Sequence, residues 1–253
     1  MKFVTFNIRY DTPSDGINAF SHRSGMILGK IEAERPDVIG FQECRPHVFD
    51  FLRRHLVDYT VVGCGRGADY EDEHNPVAFR TEQYELIGLQ TSWLSPTPDI
   101  PGSRHAEQSP CPRIMTVATL RIIGTPRAFD VYNIHLDHEF ERARILGANQ
   151  LIEAMRAKLA RREMPLVLLG DFNAYPTDAP VRALLGDAQL ALTDHTRAIP
   201  HSFHAYGAQT NPRIDYIMSR GFRALGDAHI WDDCQNGVYL SDHYPIAINL
   251  EME

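Results

Sequence analysis

The feature that most constrains this chain is a repeated junction, in which a short apolar run of strand length ends on residues able to do chemistry. Asn7 closes Phe3-Val4-Thr5-Phe6, Gln42-Glu43 follow Asp37-Val38-Ile39-Gly40-Phe41, and His135 and Asp137 close Phe129-Asp130-Val131-Tyr132-Asn133-Ile134. Asp171 and Asn173 follow Pro165-Leu166-Val167-Leu168-Leu169-Gly170. Asp215 sits in Arg213-Ile214-Asp215-Tyr216-Ile217-Met218, and Asp242-His243 precede Tyr244-Pro245-Ile246-Ala247-Ile248. Strand ends on a packed scaffold hold side chains more rigidly than loops do. A fold that gathers these ends builds one site from residues spread between positions 7 and 243, which neither half of the chain could hold alone. The 253 residues therefore read as one domain, 1–253, although length by itself also admits two.

Apolar stretches at 2–8, 37–41, 59–63, 76–80, 84–92, 114–123, 128–136, 165–170, 214–218 and 244–250 predict strands. Helical spacing is clear at 22–34, 46–56 and 140–162, where Ile145, Ala148, Ile152, Met155 and Leu159 form one stripe. Strands outnumber helices and often follow one another directly. That pattern favours a mixed α/β or α+β architecture with much antiparallel sheet over a strict βαβ series. Residues 94–113, with five prolines, read as a long surface loop, and 58–74, with five acids and one arginine, as an acidic segment. Gly63-Cys64-Gly65-Arg66-Gly67 opens no recognisable helix, so it is not a nucleotide-binding loop.

Charge narrows the ligand. Lys+Arg number 25 and Asp+Glu 33, a net charge of −8, so the chain lacks the broad basic field of a duplex-DNA binder. A phosphate held by a local metal or a few arginines stays compatible with that balance. Cys44, Cys64, Cys111 and Cys234 form no CxxC pair; they read as reduced thiols rather than zinc ligands. A strand pattern starts directly after Met1-Lys2, and no apolar run reaches the roughly 18 residues of a membrane span. The expectation is a cytoplasmic protein with no membrane span and no obligate protein partner.

Each junction has a plain structural reading. A carboxylate at a strand end caps a loop, a His beside an Asp forms a hydrogen-bonded pair, and Asp171-x-Asn173 makes an Asx-turn. Taken together they supply carboxylates, amides and two histidines to one place. Such oxygen-rich sets suit Mg²⁺ or Mn²⁺.

In order, Phe6-Asn7, Gln42-Glu43, Asn133-Ile134-His135-Leu136-Asp137, Gly170-Asp171-Phe172-Asn173, Arg213-Ile214-Asp215-Tyr216 and Ser241-Asp242-His243 resemble the motif series of the endonuclease/exonuclease/phosphatase superfamily. The resemblance implies a DNase I-like four-layer α/β/β/α sandwich and Mg²⁺- or Mn²⁺-dependent phosphoester hydrolysis. It implies Glu43 as principal metal ligand, supported by Asn7 and Asp242. Asp171 would activate the attacking water, and Asn173 would hold that water or the phosphate. His243 would be the essential histidine oriented by Asp215, and His135 a second histidine on a phosphate oxygen. In the two-histidine branch a glutamate buttresses the second histidine, and Glu73, seven residues before Arg80, is the candidate. The stretches from Asn7 to Phe20 and from Trp93 to Ser103 are similar to a compact bacterial branch of unassigned substrate. Arg113 and Arg144 are candidate substrate contacts, and Asn18, Phe20, Trp93 and His138 candidates for a specificity wall. The acidic balance favours a small phosphoester. A nuclease acting on DNA or RNA ends is the alternative, and a catalytically silent binding module the remote one.

Overall fold

A computed structural model describes residues 1–253. In chain order its elements are β1 (Lys2–Asn7), α1 (Phe20–Glu34), β2 (Val38–Gln42), α2 (Pro46–His55), β3 (Tyr59–Val62), β4 (Val77–Arg80), β5 (Tyr84–Trp93), β6 (Ile114–Ile122) and β7 (Ala128–His135). They continue with α3 (Glu141–Arg161), β8 (Leu166–Asp171), α4 (Ala179–Gly186), β9 (Thr193–Asp194), β10 (Asp215–Arg220), β11 (Phe222–Ala224), β12 (His229–Ile230), β13 (Cys234–Gln235), β14 (Val238–Tyr239) and β15 (Ile246–Met252). One sheet runs β11-β15-β1-β2-β4-β3, with β12 also on β15; the other runs β5-β6-β7-β8-β10-β9. Each sheet holds one parallel pair, β1 with β2 and β7 with β8. These pairs are bridged by α1 and α3, as a parallel connection requires.

The two-residue period of a strand sorts side chains into layers. Phe3 packs between the sheets, whereas Val4 and Phe6 pack toward α1 and α2. Val167 and Leu169 face the same inter-sheet core, whereas Leu166 and Leu168 pack toward α3 and α4. Three apolar clusters thus separate four layers, an α/β/β/α sandwich.

The same parity, followed to the strand ends, explains where the polar residues go. The inter-sheet face reads Phe3-Thr5-Asn7, Val38-Gly40-Gln42, Phe129-Val131-Asn133-His135 and Val167-Leu169-Asp171, with Asp215 on the parity of Ile217. Register then brings the ends level: Asn7 pairs with Gln42, His135 with Asp171, and Asp171 with Asp215. Beneath them a buried clamp joins the sheets. Asn133 Nδ2 donates to Phe41 O (2.7 Å) and Pro76 O (2.9 Å), and Gln42 Nε2 donates to Asn133 Oδ1 (2.7 Å). A Cβ on Gly40 would fall 2.9 Å from that Oδ1, so the close approach needs glycine. Gly170 is held at φ 151°, and a Cβ there would lie 2.2 Å from Ile134 O. Only glycine lets β8 turn into Asp171.

Several expectations are adjusted. Helix α1 begins at Phe20, two residues before the periodic stripe, and α4 is too short to stand out by periodicity. Residues 94–113 are not simply a surface loop: Leu94, Ser95, Gln108, Ser109 and Arg113 are buried. The segment folds back on itself, with Leu94 N donating to Arg113 O (2.7 Å) and Trp93 N to Pro98 O (2.9 Å). Within the acidic segment, Arg66 answers Asp72 (2.9 Å) and Glu73 (2.8 Å), while Asp58, Asp69 and Glu71 stay exposed. No helix is long and apolar enough to cross a membrane.

Candidate active site

Asn7 sits where the strand ends meet. Its Nδ2 donates to Glu43 Oε1 and to Asp171 Oδ2, each at 3.0 Å, and lies 3.5 Å from His243 Nε2. Glu43 is the first residue past β2 and takes a left-handed backbone, φ 62°. That departure breaks the strand parity, and its Oε2 accepts from Tyr10 N (2.9 Å). Asp171 Oδ1 accepts from Asn173 N (2.8 Å), the Asx-turn its spacing allows, with Asn173 itself at φ 47°. Asn173 Nδ2 donates to Leu136 O (3.1 Å). Conformations of this kind concentrate where a side chain must be aimed.

Two imidazoles flank Asp171 in contrasting states. His243 Nδ1 donates to Asp215 Oδ2 (2.9 Å), while its Nε2 stands 3.8 Å from Asp171 Oδ2. Burial alone would lower this imidazole, but Asp215, with Asp171 and Asp242 behind it, outweighs burial and carries it to about 10. His135 Nε2 stands 3.6 Å from the same Asp171 oxygen. Burial, then the charges of Arg113 and Arg66, hold His135 well below the ordinary histidine value. The two imidazoles around this one carboxylate are thus pushed in opposite directions, His243 up and His135 down. Burial and the nearby Asp215 charge raise Asp171 far above the usual carboxylate range. Glu43 goes the other way: burial is overcome by the His243 charge and by donation from Asn7 and Tyr10 N. Asp242 is raised by burial, and Arg9 Nε stands 3.6 Å from its Oδ2.

Most of these groups line a cavity of about 520 Å³, whereas Asn7 and Asp215 are buried and not part of its lining. Glu43, Asp171, Asn173, Asp242, His135 and His243 line it, as do Arg66, Glu73, Arg113 and His138. Glu73 reaches the cavity, but its ion pair goes to Arg66 Nη1 (2.8 Å), and the carboxylate nearest His135 is Asp171. The buttress expected of Glu73 is therefore absent, because a guanidinium takes its charge.

Four other sequence candidates do not line the cavity. Trp93 is buried and donates from Nε1 to Arg66 O (2.7 Å), pinning the Arg66 loop. Phe20 packs edge-on against Phe51 in the helical layer. Asn18 is buried and accepts from Tyr239 N (2.9 Å). Arg144 turns back to donate to Asp137 O (3.0 Å). Sequence reasoning passed over Arg9, Tyr10, Arg45, Arg66 and Phe203, all of which line the cavity. Arg9 and Tyr10 stand two and three residues after Asn7, a signal that was available; Phe203 carried none.

The donor set fits a hard divalent cation. One ligand atom from each of Glu43, His135 and Asp171 lies within 4.8 Å of the others, and the same holds for Asp171, Asp215 and His243. Buried carboxylates of like charge repel, and a cation among them relieves that repulsion.

The sequence matches the model of the Endonuclease/Exonuclease/phosphatase family over residues 4–243. Among solved structures it is similar to an endonuclease/exonuclease/phosphatase of Bacteroides vulgatus, with 28% identity and a TM-score of 0.92, covering 100% of this chain and 98% of that one. It also superimposes on a mannosyl-6-phosphatase of Bacteroides thetaiotaomicron, with 24% identity, a TM-score of 0.90 and all of both chains covered, a likeness of fold. An uncharacterized protein of Acanthamoeba polyphaga mimivirus is 26% identical over 188 residues, 68% of this chain and 67% of that protein.

Proposed function

The chain belongs to the endonuclease/exonuclease/phosphatase family, and from that premise we propose that it hydrolyses a small or compact phosphoester with Mg²⁺ or Mn²⁺. The observation that carries the reading is the meeting of Glu43 and Asp171 on one Asn7 amide, with the His135 and His243 imidazoles on either side of Asp171. Glu43, supported by Asp242 and Asn7, would hold the cation, which supplies Lewis-acid neutralisation of phosphate charge.

The chain's own residues account for the rest. Asp171, buried and inclined to take up a proton, accepts one from the attacking water, and Asn173 orients that water. His243, kept charged and aimed by Asp215, donates from Nε2 to a phosphate oxygen. His135, neutral, offers its N–H to another. Phosphoryl transfer needs positioning and charge compensation above all, and these groups are fixed by strand ends. A cavity of about 520 Å³ is the size of a small-ligand site. A net charge of −8 gives a long polyanion no general attraction.

The test is release of nitrophenol from 4-nitrophenyl phosphate and bis(4-nitrophenyl) phosphate, with Mg²⁺, Mn²⁺ or EDTA, alongside oligonucleotide cleavage across a salt series. The expected result is metal-dependent release with weak salt dependence and poor oligonucleotide cleavage. No metal-dependent release from folded protein that binds Mn²⁺ would overturn the enzyme reading. Efficient oligonucleotide cleavage that falls steeply with salt would replace it with the nuclease.

A further inference from the structure

Four arginines line the cavity, and three of them are answered by carboxylates at hydrogen-bond distance. Arg9 pairs with Asp15 (3.1 Å), Arg45 with Asp72 (3.2 Å), and Arg66 with Asp72 (2.9 Å) and Glu73 (2.8 Å). Arg113 is the exception. It is 4% exposed, and its buried Nε and Nη1 meet no hydrogen-bond partner. The nearest carboxylate oxygen, Asp137 Oδ2, stands 3.8 Å from Nε.

Asp137 is committed elsewhere. Its Oδ2 accepts from the Ser109 hydroxyl and from Ser109 N (3.3 Å), and its Oδ1 from Glu139 N (3.1 Å) and Phe140 N (2.8 Å). The one hydrogen bond the Arg113 side chain makes is from Nη2 to His138 Nδ1 (2.7 Å). That bond puts the His138 proton on Nε2, which lies 3.3 Å from Glu139 Oε1, and it fixes the guanidinium beside the cavity. A buried guanidinium with unfilled donors is poor structural material. It makes sense as a receptor whose acceptor arrives with a ligand.

We propose that Arg113, steadied by His138, is the receptor for the extra oxygen and extra charge of a terminal phosphate, so that the enzyme prefers phosphomonoesters to phosphodiesters. The inference rests on the phosphoester-hydrolase reading above and narrows its substrate class. A monoester at neutral pH brings three non-bridging oxygens and close to two negative charges, whereas a diester brings two oxygens and one charge. The cation and the two imidazoles already answer what a diester presents. A further fixed guanidinium is matched only by the dianion, and Arg suits that task through its planar donor fork.

The experiment compares kcat/KM for 4-nitrophenyl phosphate and bis(4-nitrophenyl) phosphate in wild type, Arg113→Met and Arg113→Lys, with inhibition by inorganic phosphate as a binding readout. Wild type should favour the monoester by about tenfold or more. Arg113→Met should lose about 10²-fold on the monoester, less than about fivefold on the diester, and should weaken phosphate inhibition about tenfold or more. Arg113→Lys should recover part of the monoester loss. Equal losses on both substrates, unchanged phosphate inhibition in a folded variant, or a wild-type preference for the diester would overturn the proposal. If Arg113→Met melts early, the wild-type ratio and the Lys variant decide. No metal-dependent release from either ester would instead refute the underlying hydrolase reading.

Discussion

The cavity has two walls built in different ways. The carboxylate–imidazole wall stands on strand ends: Asn7, His135, Asp171 and Asp215 share the inter-sheet face and are level by register, with Glu43 one residue past β2. The guanidinium wall stands on connecting segments: Arg66 lies between β3 and β4, and Arg113 and His138 flank β6 and β7 from outside. Sheet register fixes the first wall, whereas the second is held by isolated loop hydrogen bonds, such as Leu94 N to Arg113 O and Arg66 N to Glu73 O, and by side-chain ties such as Trp93 Nε1 to Arg66 O and Asp137 to Ser109. The difference teaches a division of labour. On the proposed function, groups that every phosphoester would need sit on or just past strand ends, and groups that would choose among phosphoesters sit on the longer connections.

That division can be broken by mutation. His243→Ala, on the strand-end side, should cut turnover of every phosphoester by about 10³-fold or more, because it removes a buried, oriented charge. It should still fold, with a lowered melting temperature because Asp215 loses its buried partner; a loss confined to one substrate would blur the two walls. The Arg113 variants should instead split the substrates as described above. Gly170→Ala probes the scaffold under the first wall. A Cβ 2.2 Å from Ile134 O should destabilise the fold by about 2–4 kcal/mol, read as a lower denaturation midpoint. Wild-type stability would show that β8 can shift without harm.

The smallest expected effect is on the loop side. Burial would raise Asp137, but the Ser109 hydroxyl, the Phe140 N–H and Arg113 together hold it below the ordinary aspartate value. A group depressed on folding stabilises the native state above its unfolded pKa, and that contribution fades as pH falls through the folded value. Asp137→Asn should therefore cost about 1–2 kcal/mol at pH 7, with the gap to wild type closing as pH drops below about 4. A gap independent of pH would mean that shape rather than charge matters there.

How much was readable from sequence follows the same boundary. The period-two runs ending in Asn7, His135 and Asp171 marked both the strands and the site, because one pattern dictates both which face is buried and which end is polar. Boundaries moved by one or two residues, and α4 went unseen because eight residues give periodicity little room. The loop side was hidden. Trp93 looked like a wall residue, but its indole reaches back to the Arg66 carbonyl. Arg144 looked like a substrate contact, yet it closes on Asp137 O. Glu73 was placed near the site by the family resemblance, but no resemblance shows that Arg66, seven residues earlier, captures its charge. Long-range side-chain pairing between loops has no periodic signature.

The central claim is that strand ends from both sheets make one cation-dependent hydrolytic site, and Mn²⁺ titration followed by electron paramagnetic resonance tests it most directly. Wild type should bind Mn²⁺, with phosphomonoester turnover rising along the same titration curve. Glu43→Gln should weaken Mn²⁺ binding by about tenfold or more and shift the activity curve by the same factor. Unchanged Mn²⁺ affinity in folded Glu43→Gln, or turnover that persists undiminished in EDTA, would contradict the account.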